Sequence, residues 1–143
     1  VDLPPVKKYA DECIRQHNAS GKVSFLPADF MKDELPGGMD IILAFNIIHG
    51  LNPSENEALA RKAYQALNEG GRYVILDQVK GIGGKSQLSK ATTSYMALNL
   101  LHQAGGKTYS ENEIDAFAKK TGFKRTALHK LHAPGFGIVT CYK

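Results

Sequence analysis

His49 has the sequence context of a residue that moves a proton. It comes shortly after Met39–Phe45, a continuous apolar run that predicts a central β-strand covered on both faces. Open α/β sheets bind ligands just beyond the carboxyl ends of such strands. An imidazole there could take a proton from a substrate hydroxyl. We therefore treat His49 as a candidate general base, although a lone histidine is more often structural or exposed.

Asp2 is a candidate for binding a nucleoside. It follows what the pattern indicates is the end of a strand and precedes Leu3-Pro4-Pro5. In dinucleotide-type folds an acid at that place accepts hydrogen bonds from both ribose hydroxyls. The alternative interpretation is an acid that only starts a helix.

The elements that must position these residues alternate between strands and helices. Helices are predicted over Val6–His17, Asn52–Asn68, Gln87–Gln103 and Ser110–Thr121, and strands over Val23–Leu26, Met39–Phe45, Arg72–Val79, Lys124–His132 and Gly137–Tyr142. Such alternation predicts an α/β domain with a mostly parallel sheet. The last two strands lack an intervening helix, which indicates an antiparallel pair at the sheet edge.

Composition excludes several classes of protein. The chain has 143 residues, 43% of them hydrophobic and 22% charged, as expected for one globular domain. No apolar run approaches the roughly 20 residues that span a bilayer. Cys13 and Cys141 lie at opposite ends without metal-type spacing, which favours a reduced intracellular protein and no metal site. The net charge of +4 arises largely near the C-terminus without interleaved aromatics, which favours a solvated face over a nucleic-acid surface.

A glycine-rich loop imitates a phosphate-binding motif. Gly81-Ile82-Gly83-Gly84-Lys85-Ser86 follows a predicted strand and precedes a predicted helix. The P-loop pattern requires a glycine five positions before its Gly-Lys-Ser, and Val79 stands there. We therefore predict a connecting loop and not a nucleoside triphosphate site.

Seven short segments in register carry a family resemblance. They are Val1-Asp2-Leu3-Pro4, Ala28-Asp29-Phe30 before Leu35-Pro36, Asn46-Ile47-Ile48-His49-Gly50, Ala66-Leu67-Asn68-Glu69-Gly70-Gly71-Arg72, Ile75-Leu76-Asp77, Gly105-Gly106-Lys107 and Thr121-Gly122-Phe123. Their order and spacing resemble the class I S-adenosylmethionine (SAM)-dependent small-molecule O-methyltransferases of the caffeate and acetylserotonin type, in their bacterial branch. The resemblance runs from end to end of the chain and implies a Rossmann-like methyltransferase sheet.

The resemblance implies a role for each candidate residue. Asp2 would hold the SAM ribose, Asp29 would accept from the adenine amino group, and Phe30 would pack against the adenine ring. His49 would be the general base that removes a hydroxyl proton. Asp77 would orient its imidazole and stabilise the imidazolium. Without the resemblance, Asp29 and Phe30 are equally an ordinary loop acid and a core aromatic.

Two positions depart from the family pattern. Gly50 stands where many members have Asp after the histidine, and Thr108 stands where plant members have a second orienting acid. Base catalysis is therefore less firmly implied, and the methyl acceptor could be oxygen, nitrogen or carbon. An alternative is a catalytically degenerate, methyltransferase-like binding or assembly module.

Residues 1–143 lack parts that the family carries. No Gly-x-Gly-x-Gly cofactor turn occurs among them, and the first strand and the N-terminal dimerisation domain are not represented. We therefore expect a partial catalytic domain that is inactive alone. The resemblance implies a full-length cytoplasmic homodimer that binds SAM and a small molecule, with no nucleic acid or membrane partner.

Overall fold

The computed structural model describes residues 1–83, 87–104, 106–133 and 135–143. Its helices are α1 (Lys7–Gln16), α2 (Pro53–Ala66), α3 (Gln87–Ala104) and α4 (Glu111–Lys120), with short 3-10 helices at Pro4–Val6 and Ile48–Gly50. Its strands are β1 (Met39–Phe45), β2 (Leu67–Lys80), β3 (Tyr109–Ser110), β4 (Arg125–Lys130) and β5 (Phe136–Tyr142). Residues 84–86, part of the P-loop-like segment, lie outside the described residues.

Two helices begin with reciprocal capping boxes. At α2, the Asn52 side chain accepts from the Glu55 backbone N–H, while the Glu55 carboxylate accepts from the Asn52 N–H. Ser110 and Glu113 make the same exchange at α4, which begins where the sequence predicts the Ser110–Thr121 helix. Each box satisfies two backbone donors that a helix start otherwise leaves free.

The strands form one mixed sheet in the order β1-β2-β5-β4, with β3 paired to the end of β2. The pairs β1–β2 and β2–β3 are parallel. The strand β5 is antiparallel to both β2 and β4, which confirms the antiparallel C-terminal pair at the sheet edge. The carboxyl ends of β1 and β2 therefore lie at the same edge of the sheet.

The core lies between the sheet and the helices α2 and α4. Alternate residues of β2 are buried, as the two-residue period of a strand requires, namely Tyr73, Ile75, Asp77 and Val79. Small residues on α2 allow close approach, and Ala60 and Ala63 are fully buried. Asp77 is thus a charged residue on an otherwise apolar, helix-covered face.

Two strand predictions need correction. Val23–Leu26 does not form a strand, because the pairing described near this segment is the single parallel bridge between Asp2 and Pro27. The strand β1 is an edge of the described sheet and is not covered on both faces. Ile41, Leu43 and Phe45 alternate along β1 and so share one of its faces, and they are 55%, 59% and 47% exposed.

The chain divides into two compact units, Val1–Leu35 and Pro36–Lys143. The first contains α1 and the Asp2–Pro27 bridge, and the second contains the whole sheet with α2, α3 and α4. No helix in the described part of the chain is both long and apolar enough to cross a membrane.

Candidate functional site

His49 and Asp77 form a hydrogen-bonded pair at the carboxyl edge of the sheet. Nδ1 of His49 lies 2.7 Å from Oδ1 of Asp77, and the His49 backbone N–H points to Oδ2 at 3.4 Å. The Asp77 side chain is fully buried, whereas the His49 side chain remains 20% exposed. The two residues are 28 positions apart in the chain, so the sheet brings them together.

The pairing determines which nitrogen of His49 carries the proton. A carboxylate only accepts hydrogen bonds, so Nδ1 must donate to Asp77 and the neutral ring presents Nε2 without a proton. Oδ1 of Asp77 also accepts from the Gln78 backbone N–H at 2.7 Å, which fixes the carboxylate in place. The arrangement can therefore take up a proton at Nε2.

A sharp turn carries the chain from β1 to His49. Asn46 adopts a left-handed conformation with φ of 55°, which asparagine tolerates better than most residues. Its N–H donates to the Leu76 carbonyl at 2.9 Å, so the turn is attached to β2 one residue before Asp77. The 3-10 helix Ile48–Gly50 follows and places His49 beside the carboxylate.

The two positions at which the family resemblance leads us to expect an acid, Gly50 and Thr108, carry none in this chain. Thr108 is buried, and Gly50 lies in the turn with open space around the position a Cβ would take. In the described part of the chain, no three His, Cys, Asp or Glu residues cluster in a way that could hold a metal ion. The pair His49–Asp77 is therefore the acid–base group that the structure assembles.

The nucleoside candidates lie together in the first unit. The Asp2 N–H donates to the Leu26 carbonyl at 3.3 Å, and the Ala28 N–H donates to the Asp2 carbonyl at 2.9 Å. This bridge places the segment of Asp2 beside the segment that leads into Asp29 and Phe30. The structure thus brings these three predicted residues into one region.

Asp29 already has local partners. Its Oδ1 accepts from the Met31 N–H at 3.0 Å, and its Oδ2 lies 3.1 Å from the Lys32 ammonium. The hydrogen bond from Lys32, followed by that from Met31, lowers the pKa of Asp29 below its usual value. Asp29 is therefore an ionised acceptor, whereas the exposed Asp2 carboxylate accepts from the adjacent Leu3 N–H at 2.7 Å.

The sequence reasoning missed two residues behind His49. Asn56 is 1% exposed and donates to the Ile48 and Leu51 carbonyls, and Gly106 lies directly against the His49 backbone. The signal for Asn56 was present, because it shares one helical face with the apolar Leu59, Ala60 and Ala63, and a buried amide requires partners. Gly106 was part of a recognised motif, but nothing local indicated what it contacts.

Comparison with known proteins gives the chain a family. Residues 1–124 match the family model of the O-methyltransferase domain. The L-tyrosine C(3)-methyltransferase of Streptomyces lavendulae is 31% identical over the whole chain, and the demethylspheroidene O-methyltransferase of Rhodobacter capsulatus is 32% identical over 88% of it. This chain covers 40% and 30% of those two proteins, respectively.

Solved structures agree with this assignment. The mitomycin 7-O-methyltransferase MmcR superposes with a TM-score of 0.84 at 25% identity, over 99% of this chain and 40% of that one. An O-methyltransferase family 2 protein from Planctomyces limnophilus, in complex with apigenin, gives the same TM-score and identity over 99% of this chain and 41% of that one. The chain belongs to the O-methyltransferase domain family.

Proposed function

We propose that the full-length gene product transfers a methyl group from SAM to a hydroxyl of a small, aromatic molecule, with His49 as general base. The observation that supports this most is the 2.7 Å bond between His49 Nδ1 and the buried Asp77. A buried carboxylate behind a partly exposed imidazole is the arrangement that holds a general base in one tautomer. The family membership supplies the class of reaction.

The chemistry divides between the two side chains. Nε2 of His49 takes the proton of the substrate hydroxyl while the oxygen forms its bond to the methyl carbon. Asp77 does not touch the substrate, and its charge stabilises the imidazolium that results. SAM, when bound, supplies a methyl group on a sulfonium sulfur, and the sulfur part departs as a neutral thioether. Positioning of the two reactants therefore accounts for much of the remaining rate acceleration.

Asp2, Asp29 and Phe30 would hold the nucleoside of SAM. Their segments are joined by the Asp2–Pro27 bridge, and both acids offer carboxylate oxygens suited to hydroxyl and amino donors. Phe30 is partly exposed and so retains apolar surface for a heteroaromatic ring. These features fit a nucleoside and support the assignment that the family resemblance implies.

The acceptor atom is proposed to be oxygen. A hydroxyl acceptor must lose its proton on methylation, and His49 Nε2 is suited to receive it. The names of the relatives point in two directions, since one acts on carbon 3 of L-tyrosine and another is an O-methyltransferase. The imidazole–carboxylate pair is the reason for favouring oxygen.

The decisive experiment replaces His49 in the full-length gene product. His49→Ala should lower kcat by about 10²- to 10⁴-fold, the usual contribution of a general base, and leave the Kd for SAM within about twofold. His129→Ala, which changes an exposed histidine on β4, is the matched control and should leave kcat unchanged. Unaltered turnover in the His49 variant would remove this residue from the mechanism.

A degenerate binding or assembly module is the second candidate, favoured by Gly50 and Thr108 at positions where the family has acids. It would be supported if the full-length protein binds no SAM by calorimetry. We also propose, from the resemblance alone, that this protein is a cytoplasmic homodimer without a nucleic-acid or membrane partner. Light scattering of the purified protein would test the dimer.

A further inference from the structure

We infer that Asn56 and Gly106 are positioning residues for His49. Asn56 does this through hydrogen bonds to the turn Ile48–Leu51, and Gly106 through close packing against the backbone of that turn. This inference rests on the proposed role of His49 and extends it to residues that touch neither substrate nor cofactor.

Asn56 fastens the turn from the side of α2. Its Nδ2 donates to the Ile48 carbonyl at 3.0 Å and to the Leu51 carbonyl at 3.3 Å, so one amide bridges both ends of the turn. The Leu51 carbonyl also accepts from the Tyr109 hydroxyl at 2.6 Å, which ties the turn to β3. Both carbonyls flank His49 in the chain, so their positions determine the path of its backbone.

Packing alone does not explain an asparagine at position 56. Oδ1 of this side chain is buried and has no hydrogen-bond partner among the described residues. An unsatisfied buried acceptor destabilises the fold, whereas leucine would suit the apolar face of α2 without one. Turning the amide over would set Oδ1 against two carbonyl oxygens, so its orientation follows from the turn it holds.

Gly106 packs directly against the backbone of the turn. A Cβ at this position would lie 1.7 Å from the His49 carbonyl oxygen, 2.7 Å from its carbonyl carbon and 3.0 Å from Gly50 Cα. All three are backbone atoms, which cannot rotate away as a side chain can. Any side chain at Gly106 would force its own backbone and that of His49 apart by more than about 1 Å, and a displacement of that size at His49 can lower a reaction rate about 10²-fold.

The test compares two variants of the full-length gene product with controls matched in kind. Gly106→Ala and Asn56→Leu are the test variants. Gly71→Ala is the control for the glycine, because a Cβ there would also crowd backbone, 2.8 Å from the Asn68 carbonyl oxygen, but away from His49. Asn52→Ala is the control for Asn56, because it weakens the start of the same helix without removing a bond to the turn.

Both test variants should lower kcat by about 10-fold or more while the Kd for SAM stays within about twofold, and both controls should keep kcat within about threefold. Because kcat is expressed per folded protein, a loss of stability alone would leave kcat near the parent value in all four variants. A second readout is the NMR signal of the His49 Nδ1–H bonded to Asp77, which His49→Ala identifies by removing it. The test variants should shift or broaden this signal, and the controls should leave it in place.

The outcomes separate this inference from the proposed function. If His49→Ala abolishes turnover while Gly106→Ala and Asn56→Leu leave both kcat and the NMR signal unchanged, the positioning role is overturned. If His49→Ala leaves turnover intact, the proposed function fails, and the NMR signal alone then decides whether these residues place His49. Should Gly106→Ala fail to fold, the comparison of Asn56→Leu with its control Asn52→Ala decides the question.

Discussion

Asp77→Asn should reduce kcat without removing the correct tautomer of His49. Both strong hydrogen bonds to the carboxylate, from His49 Nδ1 and from the Gln78 N–H, end on the same oxygen, each at 2.7 Å. Among the described residues, the other oxygen receives only the His49 backbone N–H, at 3.4 Å. An asparagine amide can therefore put its oxygen where Oδ1 was and its NH2 group at the weak position, since the reverse orientation would face two donors.

The expected magnitude follows from that geometry. The variant keeps a neutral acceptor for Nδ1–H and loses the negative charge opposite the imidazolium. Hydrogen bonds to charged groups contribute about 1–2 kcal/mol more than neutral ones, which corresponds to a fall in kcat of about 5- to 30-fold. This is far less than the loss expected for His49→Ala. Asp77→Ala would instead remove the carboxylate oxygen that accepts from the His49 Nδ1–H and the Gln78 N–H, at a cost of about 1–3 kcal/mol of folding stability.

The assay is steady-state turnover of the full-length gene product, with the Kd for SAM measured by calorimetry. Asp115→Asn is the matched control, because it makes the same change at an acid that pairs with Thr126 and Lys119 and not with a histidine. Its kcat should match that of the parent protein. The reasoning is refuted if Asp77→Asn is as inactive as His49→Ala, which would show that the tautomer is lost, or if it is fully active.

Two further predictions concern stability and SAM binding. Glu113 accepts from Lys107 and from Ser110, and these bonds lower its pKa from 4.5 to about 2. Because the folded-state pKa is depressed, the bonds stabilise the fold fully above the unfolded pKa, and this stability is lost as the pH falls from 4.5 towards 2. The Lys107–Glu113 pair is 41–45% exposed, so solvent screens it. We expect the free energy of unfolding in urea at about pH 6 to be about 1 kcal/mol lower for Glu113→Gln than for the parent protein, and this difference should shrink as the pH falls. A difference that does not depend on pH would contradict this. The 143-residue polypeptide alone should not bind SAM appreciably in a calorimetric titration. It contains no Gly-x-Gly-x-Gly turn, and it exposes the apolar side chains of β1. Tight binding of SAM would disprove the expectation.

Local signals accounted for much of the secondary structure. The bounds of β1 agree with the apolar run Met39–Phe45, and the Ser110–Glu113 pattern marked the start of α4. These succeeded because strand periodicity and capping depend on neighbours in sequence. The Val23–Leu26 prediction failed for the opposite reason, since a strand needs a paired ladder and the single bridge described near it lies at Pro27, beyond the segment.

For the site, the sequence alone determined which residues were chemically suited to the task. His49 and Asp77 each stood at the end of a predicted strand, and parallel strands bring such ends to one edge of a sheet. Only the tertiary structure decided that Nδ1 and Oδ1 lie 2.7 Å apart, that the carboxylate is fully buried, and that Asn56 donates to the turn and Gly106 lies against it. These facts depend on side chains from separate elements meeting within an ångström, and packing of the whole sheet against α2 sets such distances, which no local pattern encodes.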